Sequence, residues 1–181
     1  MRLILSGDRP RNSDYSTESG QILYKVDKPS NVLTEGTATI RKLDGPYPGH
    51  FPFYAQVEFH SIRSTRIRFN GFDLSEDDYF RKGKWSWSIS DRIFRASDGY
   101  EYRWKLDGSH IKMVRNDGSK FEVVEFRESK HGYFSTARPA SLEIHPSVEH
   151  ILDEIILTFI YCHKLRKDDK ETREAIAAGA G

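Results

Sequence analysis

A helix that changes character halfway along constrains this chain more than any other feature. From Val148 to Lys164 the sequence reads V-E-H-I-L-D-E-I-I-L-T-F-I-Y-C-H-K. In its first half Val148, Ile151, Leu152 and Ile155 share one face, and Glu149, His150, Asp153 and Glu154 take the other. That is an ordinary amphipathic pattern. In the second half Leu157, Ile160 and Tyr161 fill the sector that Asp153 and Glu154 held, and no charge occurs from Ile155 to Cys162. A helix apolar on every side has to be enclosed. Nearly everything before it reads as short strands, so the simplest enclosure is a sheet wrapped around the helix.

The strands are legible from alternation. In Tyr54–His60, Ala55, Val57 and Phe59 face one way and Gln56, Glu58 and His60 the other. Ile67 and Phe69 oppose Arg66 and Arg68, and Tyr100, Tyr102 and Trp104 oppose Glu101, Arg103 and Lys105. A period of two marks half-buried antiparallel strands. Arg2–Leu5, Ile22–Val26, Thr37–Leu43, Trp85–Ile89, Arg92–Arg95, Ile111–Arg115, Phe121–Arg127 and Ser141–Ile144 complete the expected set. Asp98-Gly99, Asp107-Gly108 and Asp117-Gly118 recur at spacings of nine and ten residues. Asp-Gly between alternating runs predicts type I′ hairpins, whose two central residues need positive φ. Asn70-Gly71 and Asp44-Gly45 are further turn signals. Gly7–Gly20, Leu43–Phe53 and Glu128–Ala140 read as loops.

Composition narrows the function classes. Twenty-eight basic residues face 27 acidic ones, so overall charge gives no argument for a nucleic-acid partner. One cysteine, Cys162, excludes an internal disulfide framework and reads as a buried apolar side chain. Met1–Leu5 is too short for a signal peptide, and the uncharged run Ile155–Cys162 is too short to cross a bilayer. The expectation is a cytoplasmic protein, at most peripheral to membranes, with no transmembrane segment. At 181 residues one domain is expected, a β-barrel over 1–166 with its central helix at 147–166, followed by a charged, flexible tail at 167–181.

Five segments carry a resemblance. They are the opening L-I-L, Gly20–Val26 (G-Q-I-L-Y-K-V), Ser90–Arg95 (S-D-R-I-F-R), Asp98–Lys105 (D-G-Y-E-Y-R-W-K) and Leu152–Tyr161 (L-D-E-I-I-L-T-F-I-Y). Together, over about residues 3–166, they resemble a family of uncharacterised domains abundant in mushroom-forming fungi. That family carries no activity to transfer. The order of strands followed by one helix also looks like the tubby-like group, which includes the LURP-one-related and scramblase-like domains. This second resemblance implies an all-β fold, a closed antiparallel barrel of about twelve strands around a hydrophobic C-terminal helix. It also implies phosphoinositide binding or work at membranes. No tubby signature motif is present to carry individual lipid-binding residues over, and architecture alone does not establish function.

The chemistry-bearing residues point to binding. Residues 61–105 hold ten basic side chains against seven acidic ones. Arg66 and Arg68 share a strand face, as do Arg103 and Lys105, and Arg81–Trp87 (R-K-G-K-W-S-W) sets Arg81, Lys82 and Lys84 beside Trp85 and Trp87. Arg forks bind phosphate bidentately, and cations beside indoles suit an anionic membrane surface. The expected anionic-headgroup contacts are therefore Arg66, Arg68, Arg81, Lys82, Lys84, Arg103 and Lys105, although the same cations also suit a plain solvated face. Seven scattered histidines and one cysteine show no metal-ligand spacing, so neither a metal nor a cofactor is expected. There is no G-x-S-x-G, Walker or G-x-G-x-x-G motif. Because the helix fills the lumen, function is expected on the outer surface or the rims. The expectation is a non-enzymatic module for anionic lipid headgroups. The alternatives are a protein-interaction module using the aromatic loop 43–53, or an enzyme with a rim site of His and carboxylates such as Asp153 and Glu154.

Overall fold

The computed structural model describes residues 1–28, 36–45, 49–60, 62–83, 91–106, 110–130 and 137–179. The expected strand Trp85–Ile89, the loop residues Lys84, Trp87 and Tyr47, and the turn Asp107-Gly108 lie outside them.

Thirteen strands form one antiparallel sheet. They are β1 (Arg2–Leu5), β2 (Ser13–Thr17), β3 (Ile22–Asp27), β4 (Thr37–Lys42), β5 (Phe53–Glu58), β6 (Arg66–Phe69) and β7 (Phe72–Ser75), then β8 (Arg81–Lys82), β9 (Arg92–Arg95), β10 (Glu101–Lys105), β11 (Lys112–Arg115), β12 (Glu122–Arg127) and β13 (Ser141–Ile144). Across the sheet the order is β7-β6-β5-β4-β3-β2-β1-β13-β12-β11-β10-β9-β8. Helix α1 (Glu76–Tyr79) joins β7 to β8, and helix α2 (Leu152–Gly179) follows β13 through a 3₁₀ turn at Pro146–Ile151. His145 caps that turn, its Nδ1 accepting the Ser147 N–H at 3.2 Å.

Alternation builds the inner surface. Cross-strand registers line up Ile67 with Val57, Val57 with Ala38, Val26 with Ile40, Leu5 with Tyr15 and Leu3 with Leu142. Phe126 pairs with Leu142 and Trp104 with Met113 on the other half. All of these are buried. Against them lies α2, whose residues from Ile155 to Cys162 are at most 2% exposed. The helix packs against β5, where Ala55, and Ala38 on the neighbouring β4, are small enough to admit it. On other sides the Trp104 indole donates to Thr158 Oγ1 at 2.9 Å and Phe126 meets Phe159 at 4.9 Å. Thr158, the polar residue of the enclosed stretch, also donates to the Glu154 carbonyl at 2.7 Å, so its hydroxyl is satisfied within the core.

Of the expected closed barrel of about twelve strands, the β-rich antiparallel sheet and the single C-terminal helix are present, and closure is not seen. Among the described residues the ladder is open, with β7 and β8 as its edges. The reason lies in the connection. The chain passes from one edge to the other through α1, whose groups bond within their own turn and to the Thr65 carbonyl, and β8 offers only two residues. Side chains fill this gap instead. The Tyr161 hydroxyl donates to Glu76 and accepts from Arg92 Nε at 3.3 Å, and Phe80 stacks on Tyr161 at 4.7 Å.

Two further expectations change. Ser13–Thr17, inside the expected loop Gly7–Gly20, forms β2, with only Tyr15 as an apolar anchor. The type I′ signature holds at Asn70-Gly71 (φ 48° and 81°). At Asp98-Gly99 only the glycine is left-handed, because Asp98 accepts the Tyr100 N–H at 2.9 Å. After Asp117-Gly118 the positive φ falls on Lys120.

Because every neighbouring pair is antiparallel, strand ends alternate between two ends of the molecule. The helix enters at one, near Met1, Lys42, Asp98 and His145. It leaves at the other, near Arg9, Lys28, Glu128 and Ala140. Beyond the sheet α2 continues to Gly179 with Glu171–Gly179 exposed.

Candidate functional site

The strand-face cations fold among carboxylates. The outer faces of β5, β6 and β7 set Glu58 opposite Arg66, and Gln56, Arg68 and Asp73 in one row. Arg66 pairs with Asp73 at 2.9 Å, and Arg68 with Glu58 at 2.8 Å. The Asp73 hydrogen bond, stronger than the mild effect of burial, holds the Arg68 guanidinium above its usual range. Arg81 donates twice to Glu101, at 2.7 and 2.8 Å, and Lys82 pairs with Asp77 at 3.1 Å. Arg103 donates to Asn116 Oδ1 at 2.9 Å, with Asp91 at 3.7 Å. Lys105 is exposed and has no ion pair among the described residues, and Lys84 lies outside them. The sequence already held these partners, one alternating strand away. Forks that grip carboxylates have less to offer a phosphate.

The entrance end is acidic and fully engaged. The Tyr24 hydroxyl donates to Asp153, which also pairs with Lys42 at 2.6 Å. Burial, then Asp153, pushes the Tyr24 phenol far up. The Ser97 N–H and hydroxyl donate to Glu154 at 2.9 and 2.6 Å. Asp98 accepts from the Tyr102 hydroxyl at 2.7 Å and lies 3.0 Å from His150 Nε2. Burial alone would raise the Asp98 carboxyl, but the Tyr100 N–H, Tyr102 and His150 hold it below its usual range. A hollow of about 260 Å³ sits here, lined by Tyr24, Lys42, His150 and Asp153. It has the His and carboxylates of a rim site. Asp98, however, is held by three donors and Asp153 by two, so both carboxylates are engaged in fastening the helix to the sheet.

The exit end differs. A cavity of about 830 Å³ opens between the 3₁₀ turn Pro10–Asn12, Lys28, the end of β12 and α2 as it emerges. Arg9, Arg11, Lys28, Arg166, Lys167 and Lys170 line it, against Asp8, Glu128, Glu171 and Glu174. Pro10 is buried, and the Tyr15 hydroxyl donates to its carbonyl at 2.8 Å, which fixes the turn that carries Arg11. Arg11 lies over the Phe59 ring at 5.3 Å, and its enclosed Nη1 has no hydrogen-bond partner. Burial lowers its pKa, with only partial relief from Asp168 and Glu171. Lys28 is lowered too, first by burial and then by Arg11, Lys164, Lys167 and Arg9. His163 packs edge-on against Phe126 at 5.6 Å, and its enclosed Nδ1 has no partner. Burial, then Arg11, Lys167 and Arg166, push it down to about 3, so the ring is neutral at pH 7.

These residues come from four distant segments, and none forms a local motif. Only the parity of strand ends brings them together, so no local pattern in the sequence marks them. Cys162, one residue from His163, is fully buried, and burial pushes its thiol up, the opposite of a nucleophile's setting. Among the described residues no group of His, Cys, Asp and Glu is arranged to hold a metal ion, and no helix is long and apolar enough to cross a membrane.

A family model covers residues 8–168, and the chain belongs to that family of unknown function, DUF6593. No curated protein and no solved structure matches it.

Proposed function

We propose that this protein is a non-enzymatic binding module for an anionic, phosphate-bearing ligand such as a lipid headgroup at a cytoplasmic membrane surface. One observation carries the reading. The exit cavity gathers cations whose charge the surrounding carboxylates do not match, and an Arg11 guanidinium with hydrogen-bonding capacity left over. Clustered like charges disfavour one another, and an anion relieves them. The enclosed helix supports the same reading from the other side, because it leaves no lumen for a ligand. Of the strand-face cations expected to contact headgroups, Lys105 keeps the most capacity, while Arg66, Arg68, Arg81, Lys82 and Arg103 play a lesser part. The proposal includes kinship with the tubby-like group, with the β7–β8 seam as a variant of a closed barrel.

Vesicle flotation tests it. The protein should rise with anionic vesicles and not with neutral ones, and added salt should release it. Arg9→Glu with Lys28→Glu should abolish flotation, whereas Arg66→Glu with Arg68→Glu should leave most of it. Equal recovery with charged and neutral vesicles removes the lipid form of the proposal.

A second reading, protein docking through loop 43–53, draws support from the entrance end. Phe53, Phe72, Tyr100 and Phe121 all lie there and are 56%, 57%, 59% and 46% exposed. Light scattering tests the self-association version, in which Phe53→Ser with Phe72→Ser would convert an oligomer to a monomer.

A further inference from the structure

The exit cavity has two unlike walls, and together they narrow the ligand. One wall is cationic. Lys167 pairs with Glu171 at 3.4 Å and Lys170 with Glu174 at 3.9 Å, both along the helix. Six cations against the four carboxylates Asp8, Glu128, Glu171 and Glu174 leave an excess of two positive charges among the described lining residues. The other wall is apolar, made by Ile111, Phe126 and Ala140. A volume of about 830 Å³ is in the range of small-molecule sites. Alongside it α2 projects roughly 25 Å past Cys162, so the cavity is a recess between a helix and a sheet rim rather than a flat face.

We infer that this recess takes a phosphate monoester, with its phosphate on Arg9, Arg11 and Lys28 and its organic body on Ile111, Phe126 and Ala140. The inference rests on the anion-binding reading above and deepens it. A monoester carries close to two negative charges at neutral pH, which matches the excess, whereas a diester carries one. The planar Arg11 fork suits phosphate oxygens better than a point cation does. Its position is set before any ligand arrives, by the buried Pro10 turn beneath it and the Phe59 ring beside it. The apolar wall favours an ester over bare phosphate.

Titration calorimetry on the full chain at low salt tests this with four soluble probes: phenyl phosphate, glycerol 3-phosphate, inorganic phosphate and dimethyl phosphate. Phenyl phosphate should bind at least about tenfold tighter than dimethyl phosphate and tighter than inorganic phosphate. Arg11→Gln should weaken phenyl phosphate by about tenfold or more, while Arg95→Gln, at the opposite end of the molecule, leaves it within about twofold. Lys28→Gln gives the same readout if Arg11→Gln fails to fold. Phosphatidylcholine vesicles doped with phosphatidic acid or with phosphatidylglycerol separate the sources. Flotation with phosphatidic acid alone indicates a lipid monoester, and soluble binding without flotation indicates a free one. Equal affinity for mono- and diester, or full binding by Arg11→Gln and Lys28→Gln, overturns this inference while anion binding stands. If no anionic probe or vesicle binds, both fall.

Discussion

At the helix entrance Asp153 accepts from Tyr24 and pairs with Lys42, and Glu154 takes two bonds from Ser97. At the exit, one uncharged run later, Arg11 and Lys28 have no ion pair among the described residues, and His163 has been stripped of its charge. The entrance follows stability rules. Carboxylates sit in the first turn of α2, where the macrodipole favours anions. At the exit such rules account for part of the charge, because Lys164, Lys167 and Lys170 each pair with a carboxylate one turn on. They leave Arg11 and Lys28, which face the helix cations Lys164 and Lys167 rather than carboxylates of their own. Charge left unmatched in this way is what the proposed anion site requires.

The comparison supposes that one rigid helix fixes both ends. Phe159→Ala should therefore have the largest effect, a loss of about 3–5 kcal/mol in denaturant unfolding. Phe159 is fully buried between Trp104 and Phe126. A loss below about 1 kcal/mol would mean that the sheet does not depend on the helix.

Next comes pH. The native His163 sits at about 3, below the ordinary 6.5. The unfolded chain therefore takes up a proton that the native state refuses. Stability from this group is complete above pH 6.5 and declines as pH falls toward 3. The loss should amount to a few kcal/mol at most, roughly 1.4 kcal/mol per pH unit while it lasts. Melting profiles between pH 7 and 4.5 should slope for the parent and flatten for His163→Gln. Identical slopes would place another group behind the decline.

The entrance should respond through stability alone. Asp98→Ala leaves the buried Tyr102 hydroxyl without its acceptor, at a cost of about 1–3 kcal/mol. Phosphate-ester affinity should not move. A change in affinity would couple the two ends and undo the division between them.

Much of this fold is written in short-range patterns. Ala55 and Val57 against Gln56 and Glu58 define a strand face without any tertiary knowledge, and the absence of charge from Ile155 to Cys162 announces enclosure. What failed was long-range. β2 hid because its inner face needs only Tyr15, and the seam at α1 could not be told from another hairpin. The cations singled out from sequence were a local cluster, and local clusters on alternating strands meet opposite charges across the ladder. Arg68 met Glu58 and Asp73 in that way. The exit cations stand over 150 residues apart, from Arg9 to Lys167, and only the antiparallel parity of the strand ends makes them neighbours.

The smallest effect is the sharpest, because it turns on sign. Lys42 and Lys28 each stand at a strand end, one beside a carboxylate and one among cations. Lys42→Gln removes an ion pair from Asp153, whose other partner is the buried Tyr24, and should lower stability by about 0.5–1 kcal/mol. Lys28→Gln removes repulsion from Arg11 and Lys167 and should leave stability unchanged or raise it by about 0.5 kcal/mol. Added salt should bring the two variants together, because it screens attraction and repulsion alike. Equal losses for both would mean that Lys28 has a carboxylate partner in solution, and the surplus of positive charge at the exit would no longer stand.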